Sequence, residues 1–127
     1  MPVESYPIDD GRILYVAFID PFTTEEMEDI WARNHEIRSR ATHKLHLLLD
    51  LRQLKMPPPR GAIRGWRDSS VTHPNAGNIA IVGGNAITRL IANTVFKLAR
   101  FDRGQFFESY EDALAHLREV VAQELKP

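Results

Sequence analysis

Two short apolar runs, LHLLLDL at 45–51 and NIAIV at 78–82, constrain the fold of this chain more than any other feature. Each has the length of a β-strand and lacks the alternation of apolar and polar residues that marks a strand with one face in water. Such continuous apolar strands are typical of a parallel sheet covered by helices. Because parallel neighbours need a crossover connection, the helical patterns around these runs predict β-α-β units.

The rest of the chain alternates predicted helices with predicted strands. The DDG turn at 9–11 separates two runs rich in strand formers, and Thr23 followed by Glu26 has the spacing of a capping box. The predicted elements in chain order are a hairpin (3–8 and 12–19), a helix (20–41), a strand (45–51), a weaker helix (60–71), a strand (78–82), a helix (86–101), a strand (104–108) and a final helix capped by Ser109 and Asp112. This order predicts one α/β domain over residues 1–127, with a mixed, mostly parallel sheet of about five strands and four helices packed mainly on one side.

Apolar spacing within the helices predicts which faces turn toward the sheet. The polar residues Asn34 and Arg38 fall on the same face of the first helix as its apolar stripe. The predicted core residues are Met27, Ile30, Trp31 and Ile37; then Ile87, Leu90, Ile91, Val95, Leu98 and Phe101; then Tyr110, Leu114, Leu117 and Val121. On the helical wheel Phe96 falls nearly opposite the second of these faces, beside Arg89 and Asn93. An exposed phenylalanine predicts a contact surface, for example a homodimer seam, unless a neighbouring helix or loop covers it.

Composition argues against several classes of function. Sixteen basic and seventeen acidic residues give a net charge of −1, which is no electrostatic footprint for nucleic acid. The absence of cysteine excludes disulfides, thiolate zinc sites and cysteine nucleophiles, and it fits a protein of the reducing cytoplasm. No apolar run approaches the ~20 residues of a membrane-spanning helix.

The stretch VGGN at 82–85 joins a predicted strand to a predicted helix. Its spacing is neither the dinucleotide fingerprint nor a P-loop, since no third glycine and no lysine follow. The favoured interpretation is that Gly83 and Gly84 form a tight turn and that Asn85 caps the helix. An anion site at the helix start is the weaker alternative.

A basic stretch follows the first apolar strand. Its members are Arg52, Lys55, Arg60, Arg64 and Arg67, with Trp66 among them as a flat apolar anchor. In α/β sheets the loops at the carboxyl ends of the strands form the usual ligand crevice. We therefore predict a docking patch for an acidic partner or an anionic headgroup that includes these residues together with Gly83, Gly84, Asn85 and Arg89. The alternative is a solvated surface whose arginines pair with Glu25, Glu26 and other acids.

Catalytic and metal-binding patterns are weak. The five histidines are scattered, and no H-x-x-x-H or H-E-x-x-H spacing predicts a zinc site. Asp20 and Asp50 each follow a predicted strand, and a carboxylate pair there is capable of acid–base chemistry. Because no nucleophile motif such as G-x-S-x-G accompanies them, hydrogen bonds to loops and caps are the favoured interpretation. We predict no catalytic residue, no metal and no cofactor.

The order of three segments resembles the STAS-like group, which comprises the sulfate-transporter and anti-sigma-antagonist domain and its bacterial relatives. The segments are LLLDLRQL (47–54), IAIVGGNAITRLIANTVFKL (79–98) and GQFFESYEDALAHL (104–117), within a resemblance over residues 3–122. It implies a small mixed sheet with helices mainly on one side, and a non-enzymatic binding or regulatory role.

Anti-sigma antagonists of this type carry a phosphorylatable serine at the start of the helix after the central strand. The corresponding stretch here, 50–65, has no serine or threonine, and Ser69 and Ser70 come too late. The resemblance therefore implies a branch without the phosphoswitch, and some such branches are suspected of holding lipids or other apolar ligands. Two functions stay open: a module that binds an unidentified protein partner through the strand-end loops, and a carrier or sensor that holds a lipid-like ligand between helices and sheet.

Overall fold

In a computed structural model, the protein forms a five-stranded sheet with the strand order β1-β2-β3-β4-β5. The structure describes residues 3–19, 23–55 and 60–126, apart from the side chains of Val3, Arg60 and Ala62. The strands are β1 (Val3–Ile8), β2 (Ile13–Phe18), β3 (Leu45–Leu51), β4 (Ala76–Gly83) and β5 (Gly104–Phe107). β1 pairs antiparallel with β2, and all other neighbours are parallel, which confirms the predicted mixed, mostly parallel sheet.

Four α-helices cover the two faces of this sheet. They are α1 (Thr24–Arg40), α2 (Arg60–Trp66), α3 (Ala86–Leu98) and α4 (Tyr110–Glu124). α2 continues directly into a π-helical segment, Arg67–Val71, so residues 60–71 are helical throughout. The apolar side chains of α1, α2 and α3 join one core cluster, whereas those of α4 join a second cluster on the opposite face.

Local hydrogen bonds begin the helices where the sequence predicts. Thr23 and Glu26 form both halves of a capping box at the start of α1. The side chain of Asn85 caps α3, and that of Ser109 caps α4 by accepting a hydrogen bond from the backbone N–H of Asp112. Each such cap contributes ~1 kcal/mol, because it satisfies a backbone donor that the helix itself cannot pair.

The central strand β3 is buried along its whole length, as its apolar run predicts. Leu47 and Leu49 belong to the cluster beneath α1–α3, and Leu48 belongs to the cluster beneath α4. Burying one leucine stabilises the fold by roughly 2 kcal/mol, so a strand that is covered on both faces anchors the sheet. The predicted stripe of α4 is confirmed at Leu114, Leu117 and Val121.

The inner face of α1 differs from the predicted one at its second half. Met27, Ile30 and Trp31 are buried as predicted, but Ile37 is exposed. Asn34 and Arg38 take the inner positions instead, because they continue the spacing of three and four residues from Ile30 and Trp31. The prediction that Ile37 lies in the core is wrong, because the second half of α1 buries the polar residues Asn34 and Arg38 instead.

Helix α3 is rotated relative to the prediction. Phe96, predicted on the surface, is buried, and its ring lies against those of Trp66 and Phe101. Gly104 of β5 leaves the space that the ring fills, since a Cβ atom there would overlap it. Phe96 is therefore not an exposed contact residue, so a homodimer seam through it is not supported; neighbouring elements cover the ring, which is the alternative that the sequence leaves open.

The same rotation turns large apolar side chains of α3 outward. Ile87, Leu90 and Leu98 were predicted in the core, but they are 59%, 65% and 82% exposed. The small residues Thr88 and Ala92 face the core in their place. Because small side chains let α3 approach the sheet closely, the bulkier residues of the helix remain in contact with solvent.

Candidate functional site

Asp50 accepts four hydrogen bonds near the carboxyl end of β3. It lies near the end of β3 opposite Ala17 of β2 and is almost fully buried. The hydroxyl of Tyr15 donates to Asp50 Oδ2 at 2.8 Å. Arg52 donates through Nη2 to Oδ2 at 2.7 Å and through Nε to Oδ1 at 3.0 Å. The backbone N–H of Arg52 adds a fourth hydrogen bond at 3.1 Å.

These contacts decide the ionisation of the pair. Burial acts to raise the pKa of Asp50, but the hydrogen bonds from Arg52 and Tyr15 outweigh it and hold that pKa below its ordinary value. Burial, followed by the hydrogen bond to Asp50, raises the pKa of Tyr15 above its ordinary value. Asp50 is thus an ionised carboxylate with its acceptors engaged, which supports a structural role. Asp20, its predicted partner, lies outside the described residues.

The VGGN stretch is a turn and a cap, as predicted. Gly83 and Gly84 have φ angles of +79° and +88°, which L-residues with a side chain rarely adopt. A Cβ atom on Gly83 would lie 2.8 Å from the backbone of Arg52, so β3 and β4 approach closely at their ends. The Asn85 side chain accepts a hydrogen bond from the backbone N–H of Thr88 at 2.9 Å. Arg89 folds back, with Nε donating to the Gly83 carbonyl at 3.3 Å and its guanidinium over the Phe106 ring.

The predicted basic stretch does not form one site. Arg52 is held by Asp50 and lies over the ring of Tyr110 on the α4 side of the sheet, whereas Arg64 and Arg67 lie on the other side, along α2 and the π-helical segment. Arg67 pairs with Asp68 at 3.0 Å. Lys55 is exposed after β3, and the side chain of Arg60 lies outside the described residues.

Trp66 differs from its predicted role as a surface anchor. Its ring is buried in the core cluster beneath α1–α3, 5.4 Å from the ring of Phe96. The arginines on either side, by contrast, remain accessible. Trp66 therefore fixes α2 on the core and leaves Arg64 of that helix outside.

A concave groove lies at the surface between α2 and α3. Its volume is about 410 Å³. The lining residues are Ile63, Arg64, Arg67, Thr72, Val95, Leu98 and Ala99. It therefore combines an apolar floor with two cationic side chains.

The exposed apolar residues of α3 extend this groove into a surface that we call the α3 stripe, defined by Ile87, Leu90 and Leu98. Their spacing follows the helical repeat, so they form one continuous line with the exposed Thr94 between them. Cations lie on both sides, with Arg64 and Arg67 across the groove and Lys97 on the other flank. Residues 69–101 contain no aspartate or glutamate, and Asp68, which pairs with Arg67, lies just before this segment, so the charges beside the stripe are mostly positive. The absence of acidic residues from this segment is visible in the sequence, and it is the signal that indicates a basic surface around α3.

A second cavity lies deeper, between helices α1–α3 and the sheet. It is lined by apolar residues such as Phe18, Leu49 and Ile91, and its volume is about 40 Å³. That is space for one or two waters, far below the several hundred Å³ typical of ligand pockets. In this conformation the interior holds no lipid-sized chamber among the described residues.

One serine–histidine contact has the geometry of a catalytic pair but the wrong protonation. Ser39 Oγ and His73 Nε2 are 3.0 Å apart. His73 Nδ1 accepts a hydrogen bond from the backbone N–H of Asn75 at 3.0 Å, so a neutral His73 carries its proton on Nε2. It therefore donates to Ser39 and does not act as a base toward it.

Across the described ranges, no group of three or more metal-ligating side chains occurs, and no helix is long and apolar enough to cross a membrane.

Comparison with known protein families identifies the family to which this fold belongs. The family model described as SpoIIAA-like matches residues 13–118, which include β2 to β5, α1 to α3 and the first part of α4. No curated protein matches the chain. A domain of this kind is a STAS-like regulatory or interaction module, and the order and direction of the five strands agree with that fold. Because the match covers well over half of the sequence, the protein belongs to the SpoIIAA-like family.

Proposed function

We propose that the protein acts without catalysis, as a regulatory module that binds a protein partner through the α3 stripe and the groove beside it. One observation supports this most strongly: Leu98, Leu90 and Ile87 are each more than half exposed on a single helix face. Isolated apolar residues on a surface are ordinary, but a contiguous line of them marks an interaction site.

The chemistry of the surface favours an acidic, amphipathic segment as the partner. Apolar residues of that segment would cover the α3 stripe, and its carboxylates would meet Arg64, Arg67 and Lys97 on the two flanks. A helix laid into a groove with apolar anchors is a common mode of recognition. Cations around an apolar centre steer an acidic partner and fix its orientation more than they add affinity.

The same charges argue against a homodimer through α3. In a two-fold dimer each surface meets its own copy, so Lys97 and the arginines of one chain would approach those of the other. Residues 69–101 provide no carboxylate, and Asp68, which pairs with Arg67, offsets one of these charges and leaves the surface basic. A partner of opposite charge is therefore the better occupant.

Affinity capture from the source organism tests this proposal. Wild type is compared with the double variant Leu90→Ser/Leu98→Ser and with Leu125→Ser, whose leucine is equally exposed, at 60%, but lies beyond α4. We expect one partner with wild type and with the Leu125 variant, and its loss with the double variant. Burying each leucine is worth about 2 kcal/mol, so the double variant weakens binding by two orders of magnitude or more. Equal capture by all three proteins contradicts the proposal.

Charge gives a second, independent test of the same surface. Arg64→Glu/Arg67→Glu is expected to reduce capture, whereas Arg33→Glu, an exposed arginine of α1, is expected to leave it unchanged. Capture by wild type is also expected to fall with salt, because exposed charges are screened over about 8 Å at physiological ionic strength. Loss with both arginine variants would indicate a general charge effect and would overturn the assignment of the site.

A small ligand with an anionic head is the second candidate function, and the groove of about 410 Å³ is the observation that favours it. Its apolar floor with Arg64 and Arg67 at the side matches such a molecule. The apolar cavity of about 40 Å³ does not, because it is too small for an acyl chain. Native mass spectrometry of the purified protein distinguishes the two: a bound molecule that Leu98→Ser releases supports the carrier, and a bare chain supports the partner module.

A further inference from the structure

Arg38 is a buried cation to which the described structure gives no counterion. It lies in the last turn of α1, and its side chain has no exposed surface. None of its three guanidinium nitrogens, Nε, Nη1 and Nη2, has a hydrogen-bond partner among the described residues. An arginine in a protein interior is ordinarily paired with a carboxylate or with several carbonyl oxygens.

A second donor without an acceptor lies one turn earlier on the same helix face. Asn34 is fully buried, and its Oδ1 accepts a hydrogen bond from Ser5 Oγ at 3.3 Å. Its Nδ2 has no partner among the described residues. This inner face of α1 therefore has an excess of donors over acceptors, and a group that supplies oxygen acceptors would satisfy it.

Basic side chains surround Arg38. His73 lies beside it, and burial together with the charges of His35, Arg38 and Lys44 lowers the pKa of His73. The rings of His35 and His73 are 4.9 Å apart, and Ser39 presents its hydroxyl to His73. The acid in this part of α1, Glu36, is engaged by Arg40 at 2.6 Å.

Arg38 nevertheless stays charged at neutral pH. Burial lowers its pKa to about 10, which is still well above the pH of a cell. An ionised guanidinium that is taken out of water without a partner is unfavourable, so the fold gains stability from any anion that reaches it.

We propose that Arg38 forms the base of a binding site for a small oxyanion, such as phosphate or sulfate, between the last turns of α1 and the loop 72–75. The planar guanidinium binds two oxygens of such an anion at once, Asn34 Nδ2 supplies a further donor, and His35 and His73 form the rim. This site is separate from the α3 stripe, because it lies at the C-terminal end of α1.

The loop 72–75 closes the site in this structure. Asn75 Nδ2 donates to the backbone carbonyls of Arg38 at 2.8 Å and Ala41 at 3.0 Å, and Lys44 Nζ donates to the carbonyl of Pro74 at 2.6 Å. Because Arg38 is fully covered, the anion enters when these surface hydrogen bonds open. Such local openings require far less free energy than global unfolding.

Thermal unfolding with inorganic phosphate tests the proposal. Phosphate and sulfate stabilise most proteins by exclusion from the surface, so the measurement needs a matched variant. Arg38→Met keeps an unbranched apolar side chain that fills the inner part of the space and removes the guanidinium. At equal ionic strength of phosphate and chloride, we expect a saturable rise of several degrees in the Tm of wild type beyond the shift of Arg38→Met, and a smaller excess for Arg38→Lys. The same shift for wild type and Arg38→Met would overturn the site.

A measurement on wild type alone keeps the proposal testable if Arg38→Met does not fold. In ¹H–¹⁵N spectra, phosphate is expected to move the Nε–H signal of Arg38 and the side-chain amide signals of Asn34 and Asn75, with one saturation curve. Unchanged signals would mean that water or nearby carbonyls satisfy the guanidinium. If a carboxylate such as acetate gives the same curve, the site recognises oxygen anions in general; if only phosphate and sulfate do, it recognises tetrahedral ones.

Discussion

The ring of Phe96 in α3 lies over Gly104, the first residue of β5, so closely that no side chain fits there. This contact fixes the rotation of α3 about its own axis. Phe96 points into the core against Phe101 and Trp66, and Leu98 consequently points into solvent. The proposed docking surface is thus a direct consequence of a packing contact on the other side of the same helix.

The first prediction contrasts those two faces of α3. Phe96→Ala removes a buried ring and should lower the free energy of unfolding by ~4 kcal/mol, whereas Leu98→Ala removes an exposed side chain and should change it by less than ~0.5 kcal/mol. Urea denaturation of both variants measures the difference. A larger loss for Leu98→Ala would mean that α3 has the opposite rotation.

The second prediction concerns the glycine beneath the ring. Gly104→Ala introduces a methyl group into filled space, and overpacking of this kind destabilises a core by ~1–3 kcal/mol. Phe96→Leu in the same chain frees part of that space, so the double variant should lose less stability than the sum of the two single variants. Strict additivity in a double-mutant cycle would indicate that the two residues do not touch.

The third prediction tests the role of Asp50. Asp50→Asn removes the charge that Arg52 and Tyr15 bind, and we expect a loss of ~2 kcal/mol at pH 7, since Arg52 is half exposed and water screens part of the pair. Because the pKa of Asp50 is lowered in the folded protein, its contribution is present above about pH 4 and is lost as the pH falls further. The stability of the variant should therefore fall less steeply in acid than that of wild type. Asp102→Asn, an exposed control, should behave as wild type.

The fourth prediction is a pH dependence due to His46. This buried ring accepts a hydrogen bond at Nδ1 from the backbone N–H of Asn78, 2.8 Å away, and its Nε2 lies 2.5 Å from Oε1 of Glu124 at the end of α4. Burial lowers the pKa of His46, so the folded state prefers the neutral ring and the unfolded state takes up the proton first. Stability should accordingly fall as the pH drops below about 6.5.

The variant His46→Gln isolates this effect. The amide oxygen of glutamine retains an acceptor for Asn78 but does not titrate. Unfolding free energies at pH 7.5, 6.5 and 5.5 should show a shallower slope for the variant, with a remainder from His73, whose pKa is also lowered. Equal slopes for the two proteins would contradict the assignment.

Local signals explain which parts of the fold the sequence predicts. The strands around Leu48 and Ile81 follow from uninterrupted apolar runs, and the caps at Thr23, Asn85 and Ser109 follow from side chains that bond within the next three residues. Each of these features depends on neighbours in the sequence, so one chain is enough to recognise it.

The rotation of α3 could not be predicted in the same way. Its large apolar residues share one face of the helical wheel, and that face includes Ile87, Leu90 and Leu98, which the structure exposes. The decision depends on Gly104 and Phe101, which lie outside the helix and meet Phe96 only in the folded chain. The spacing of α1 places Arg38 on the same face as Ile30 and Trp31, but its complete burial is not predicted, because a charged residue is ordinarily exposed.

Site-specific photo-crosslinking in cells of the source organism tests most directly whether a protein partner binds the α3 stripe. A benzoylphenylalanine replaces Leu90 in one protein and Leu125, the exposed control beyond α4, in another. We predict a discrete adduct with a different protein from position 90 and none from position 125, and loss of that adduct when Arg64 and Arg67 are changed to glutamate. No adduct at position 90, or only an adduct between two copies of this chain, would contradict it.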